Sequence, residues 1–155
     1  MAEIMAFIVD PSDPPVNEVP VNIPVSHMSV EAARCAIFME RVAIFSRGLE
    51  IQVGYHVREN ALDTTEFGIP VPGSPDDMSL ELLTEGSMRR LAVRKTGASS
   101  RGSSGRMFYW AAPMPRDQGL DLSISWPSLG VESRNWLIRQ DDLEEAVSKV
   151  RALWR

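Results

Sequence analysis

The sequence predicts a mainly β protein, an antiparallel two-layer β-sandwich with a C-terminal α-helix. Three observations carry this. Leu49, Ile51, Val53, Tyr55 and Val57 alternate strictly with Glu50, Gln52, Gly54, His56 and Arg58, the period of a half-buried strand. Between Arg106 and Val131, a Phe-Tyr-Trp run at 108–110 leads into a proline-punctuated turn and then the alternation Leu120, Leu122, Ile124 and Trp126. Last, Leu143, Ala146, Val147, Val150 and Trp154 recur at helical spacing and form one apolar stripe. About seven or eight strands is the usual count for such a sandwich.

A chain of 155 residues has the size of one domain and buries roughly 68–70% of its unfolded surface, so residues 1–155 are read as a single domain. Pro11, Pro14, Pro15, Pro20 and Pro24 remove ladder donors, which makes residues 1–17 an extended or flexible arm. Val19, Val21 and Ile23 then predict a short edge strand near Glu18 to Val25. Residues 31–40 read two ways: Ser29 can cap a helix over EAARCAIFME, with Ala33, Ile37 and Glu40 at helical spacing. The strand Leu49 to Val57 needs a partner before Ser46-Arg47-Gly48, however, which favours strand for roughly Ala36 to Phe45. Gly48 is expected to supply a positive φ to that turn.

Residues 59–77 are acidic and broken by glycine and proline, the pattern of a long loop. Leu80 to Leu83 and Arg90 to Lys95 predict short strands around Glu85-Gly86. Residues 97–105 are Gly/Ser-rich and read as a flexible loop. In the aromatic strand, Phe108 and Trp110 are assigned to the core with Leu122, Ile124 and Trp126, leaving Tyr109 on the opposite face. Val131 to Arg139 predicts one more strand, with Trp136 and Ile138 on one side. Asp141 and Glu144 resemble a capping box for the final helix, whose acids fall early and whose Lys149 and Arg151 fall late.

Several of these elements together resemble a group of uncharacterised, mostly actinobacterial proteins. They are the Gly-rich stretch Gly97 to Gly105, Phe108 to Trp110, Pro113-Met114-Pro115, Trp126-Pro127, Gly130-Val131-Glu132 and Leu153-Trp154. The resemblance covers about half the chain, mainly its C-terminal part, and implies a sandwich with a helix. It implies no activity.

Composition narrows the function classes. Hydrophobic residues make up 44% and charged ones 24%, which fits a globular protein and argues against disorder. The single Cys35 excludes an internal disulfide and fits a reducing compartment, so a cytoplasmic location is expected. No stretch has the apolar length of a membrane helix, and the first residues lack signal-peptide character. The net charge of −5 argues against a general nucleic-acid or membrane-surface binder.

Charge is unevenly distributed, though. Four bases face fourteen acids up to Gly86, whereas Arg89, Arg90, Arg94, Lys95, Arg101, Arg106 and Arg116 follow without an acid. Arg89, Arg94, Lys95, Arg101 and Arg106 are therefore the candidate binding residues, suited to phosphates or an acidic partner surface. The simpler reading makes the strand cations a wet face that also guards an edge.

No catalytic residues are nominated. His27 and His56 are isolated, Cys35 sits among apolar residues, and no spacing fits a zinc site or a phosphate loop. Asp63, Glu66, Asp76 and Asp77 match no calcium loop. Neither a metal nor a cofactor is expected. The function expected is a non-enzymatic interaction or structural domain, with a protein partner or self-association. A carbohydrate- or small-molecule-binding sandwich with exposed coplanar aromatics and a hydrolase with dispersed carboxylates are the alternatives.

Overall fold

A computed structural model describes residues 14–58, 78–86 and 88–153. The chain forms β1 (Glu18–Val19), β2 (Val21–Ile23), β3 (Ser29–Glu31), β4 (Cys35–Ile44), β5 (Leu49–Val57), β6 (Ser79–Thr84), β7 (Ala92–Arg101), β8 (Ser104–Ala112), β9 (Leu120–Trp126) and β10 (Val131–Ile138). Helix α1 (Gln140–Lys149) and a short β11 (Arg151–Ala152) complete it. The larger sheet runs β2-β4-β5-β8-β7, with β3 also on β4; the smaller runs β10-β9-β6. All pairings are antiparallel. The expected class, mainly β with a C-terminal helix, is the one observed. The acidic stretch 59–77 and residues 1–13 of the expected arm lie outside the described residues.

Residues 31–40 hold no helix, and the favoured strand is the one observed: Glu31 ends β3, residues 32–34 connect, and Cys35 to Glu40 open β4. Cys35, Ile37 and Met39 point into the core, the register slips between Met39 and Arg41, and Val42 and Ile44 resume on the same side. The extra residue is a β-bulge. It shifts the alternation by one and hides the period of two from the sequence.

The inner faces meet in one apolar core. Ile51, Val53, Tyr55, Met107 and Tyr109 of the larger sheet join Leu82, Leu122, Ile124 and Trp126 of the smaller. Each buried large side chain contributes about 1.5–3 kcal/mol of transfer free energy. The expected parity of the aromatic strand is reversed. Met107, Tyr109 and Ala111 face the core, while Trp110 lies on the outer face, buried in a second cluster with Ala43 and Phe45. Pairing sets this, because Tyr109 stands opposite Ile51 in the register and Trp110 opposite Glu50. The Trp110 indole meets Phe45 edge-on at 5.6 Å, and its buried Nε1 finds no acceptor among the described residues.

Two turns differ from expectation. Gly48 has no positive φ; it is needed because a Cβ there would run into the Ala111 carbonyl and lie 2.6 Å from Trp110 Cζ2. Residues 97–105 are not a loop. They form the end of β7, a two-residue turn and the start of β8, with Arg101 paired to Ser104. Gly102 takes φ 62° at the first turn position, where a II′ hairpin favours glycine.

Helix α1 buries Leu143 and Ala146 and packs against β2 and β4. The capping box is absent: Arg139 occupies the N-cap without a side-chain bond, and Gln140 Nε2 donates to Glu144 Oε1 at 3.0 Å. Asp141 and Asp142 sit in the first turn, where the helix dipole favours acids. The helix ends at Lys149 because Arg151 and Ala152 turn extended and pair with Val19 and Glu18. Trp154, the last residue of the expected stripe, lies outside the described residues.

Candidate functional site

The five predicted binding residues do not converge. Arg89 lies in the turn before β7, where its backbone N–H donates to Thr84 Oγ1 at 2.9 Å and its carbonyl accepts from Thr84 N–H at 2.7 Å. Arg94 and Lys95 project to opposite faces of β7. Arg94 stands beside Trp110 on the outer face, and Lys95 Nζ lies 5.9 Å from the Tyr109 ring centroid, within reach of a cation–π contact. β7 ends the larger sheet and carries a register shift between Lys95 and Gly97. Charges and a bulge are both devices that blunt a sheet edge, so the edge-guarding reading accounts for Arg94 and Lys95.

Arg101 and Arg106 do come together, at the tip of the β7–β8 hairpin. They line a cleft of about 420 Å³ with Phe38, Glu40, His56 and Ser99. Arg106 Nε donates to both carboxylate oxygens of Glu40, at 3.0 and 3.2 Å, and Glu40 is the bulge residue of β4. Phe38 stacks on His56 with centroids 5.6 Å apart and planes at 29°. Sequence reasoning missed Phe38, Glu40 and His56, because only the β4–β5–β8 register brings them beside the arginines.

A larger groove of about 920 Å³ opens where α1 passes the segment between β8 and β9. Ala112, Pro113, Met114, Leu143 and Val147 supply an apolar lining, and Arg47, Arg116, Asp117 and Glu144 supply charge. The segment is fastened by Met114 N–H donating to the Arg47 carbonyl at 2.8 Å, and it leaves β8 through a cis Ala112–Pro113 bond. The serine hydroxyls of the groove are both committed. Ser46 Oγ bonds the Glu18 carboxylate, and Ser148 Oγ donates to the Glu145 carbonyl at 2.6 Å. No histidine lines it, so neither hydroxyl has the neighbouring base that nucleophilic catalysis uses.

Elsewhere, Cys35 is buried in the main core, and this burial pushes its thiol up from its ordinary range and away from the reactive thiolate. Trp110 and Trp126 are both buried. Among the described residues, no three His, Cys, Asp or Glu side chains gather for a metal ion, and no helix is long and apolar enough to cross a membrane. No family model and no curated protein matches the chain.

Proposed function

We propose that this domain is a non-enzymatic interaction module that docks an apolar, acid-bearing segment of a protein partner in the groove beside α1. The observation that carries the reading is the pairing of an apolar lining, Met114, Leu143 and Val147, with Arg47 and Arg116 on the same groove. Neither guanidinium makes a hydrogen bond or ion pair among the described residues, whereas the Glu144 carboxylate already accepts from Gln140. An apolar side chain flanked by a carboxylate complements such a surface. Charge complementarity of this kind selects partner and register, and side chains entering an apolar groove supply the affinity.

The groove is formed by a helix, a strand end and a tied-down connecting segment on a sheet scaffold, where binding surfaces are commonly carried. Self-association through the same groove is the second form of this reading and is distinguished by mass.

Selection of a random peptide library on the folded protein, with counter-selection on Val147→Glu, tests the proposal. Enriched peptides carry an apolar residue next to Asp or Glu, and their affinity falls at least about tenfold, or 1.4 kcal/mol, on Val147→Glu and on Arg47→Glu. Enriched peptides that bind both variants as tightly as the wild type overturn it. Light scattering of the free protein reports self-association.

A further inference from the structure

The cleft at the hairpin tip is built from two adjacent cross-strand rows on the outer face of the larger sheet. One row is Phe38, Gly54, Arg106 and Ser99; the next is Ala36, His56, Ser104 and Arg101. Residues two apart on a strand share a face, so both rows present side chains to the same side. Gly54 is the residue that makes the arrangement possible. The place of its missing Cβ is taken by the edge of the Phe38 ring, with Cζ at 2.7 Å, and by Glu40 Oε1, also at 2.7 Å. Phe38 therefore lies across the sheet, where it stacks on His56, and Glu40 is drawn in to hold Arg106.

The donors in this cleft are only partly used. Glu40 engages Arg106 through Nε, which leaves the two terminal amino groups of the guanidinium without an acceptor among the described residues. Arg101 makes no side-chain bond there either, its carbonyl alone accepting from Ser104 Oγ at 3.2 Å. Two guanidinium groups beside serine hydroxyls match the several acceptor oxygens of a phosphate, which arginine binds in a planar, two-pronged way. Beside them stands an aromatic stack, and aromatic faces hold planar rings by stacking. The volume of about 420 Å³ belongs to the lower part of the range for small-ligand sites, roughly 300–1,000 Å³.

We propose that this cleft binds a phosphomonoester carried on a planar ring, the chemistry of a nucleoside monophosphate. The phosphate sits on Arg101 and the terminal amino groups of Arg106, and the ring extends the Phe38–His56 stack. The site is separate from the α1 groove and stands or falls independently of it.

Titration of the ¹⁵N-labelled protein with AMP, CMP and inorganic phosphate, followed by amide shifts, tests this. The nucleotides shift residues 99–106 and His56 in a saturable way, and inorganic phosphate binds at least about tenfold more weakly. Arg101 is exposed at the strand end, so Arg101→Glu keeps the fold; it weakens AMP at least about tenfold, as does Arg106→Gln, while Val147→Glu leaves AMP binding unchanged. No saturable shift at residues 99–106, an affinity unaltered by Arg101→Glu, or equal affinity for inorganic phosphate overturns the proposal. So does a single-stranded oligonucleotide whose affinity rises with each added nucleotide, since that marks a nucleic-acid track and not a mononucleotide cleft.

Discussion

The Tyr55 ring meets the Trp126 indole edge-on, with centroids 5.3 Å apart and planes at 80°, joining β5 of the larger sheet to β9 of the smaller across the core. Both side chains are buried, and edge-to-face pairs add about 0.5–1.5 kcal/mol beyond area burial. Trp126→Ala is expected to destabilise by about 3–5 kcal/mol, and Tyr55→Leu by less, since it keeps most of the buried volume. Urea unfolding followed by far-UV circular dichroism checks both.

The turn glycines separate two causes of strain. Gly48→Ala sets a Cβ against the Ala111 backbone carbonyl and the Trp110 ring, neither of which yields easily, and it is expected to cost about 1–3 kcal/mol. Gly102→Ala meets no atom within 4 Å and carries only the penalty of φ 62°, of order 1 kcal/mol. Thermal unfolding of the two variants should place Gly48→Ala lower.

Much of this fold was legible, and the failures have physical reasons. β5 and β9 showed themselves because one face of each is buried and the period of two is unbroken. β4 is reached only through the hairpin partner that β5 requires, because the bulge at Glu40 shifts Val42 and Ile44 out of phase with Ile37 and Met39. The stretch Gly97 to Arg101 reads as part of a flexible loop because it is small and polar, yet as an edge strand packed on one neighbour it needs little apolar side chain. Composition could not orient the Phe-Tyr-Trp run either. Both its faces are covered, one by the smaller sheet and one by Phe45 and Ala43, so large side chains suit either side and only the pairing with β5 decides. The cleft residues Phe38, Glu40 and His56 escaped notice for the same reason, since they reach Arg101 and Arg106 only through that register.

Cys35 links burial to pH. Its thiol titrates higher in the folded protein because burial disfavours the thiolate. With the folded value above the unfolded one, near 8.5, the contribution to stability is full below that pH and is lost as pH rises through the folded value. Alkaline destabilisation is therefore expected to be weaker in Cys35→Ala than in the wild type, measured by urea midpoints from pH 7 to 10. A thiol reagent should label Cys35 only upon unfolding.

The Glu40–Arg106 pair contributes position more than stability. With the Arg106 side chain 58% exposed, solvent screens the pair, and exposed ion pairs add about 0–1 kcal/mol. Glu40→Gln is expected to change the unfolding free energy by less than about 1 kcal/mol. It should also increase the mobility of the Arg106 Nε–H, read from side-chain ¹⁵N relaxation.

The most direct test of the docking role is an amide-shift map of the labelled domain with a peptide enriched by selection, one carrying an apolar residue beside a carboxylate. Saturable shifts confined to Arg47, Met114, Arg116, Leu143 and Val147 are the predicted result. Shifts centred instead on the outer face of the smaller sheet, at Ser123, Ser133 and Asn135, would contradict it.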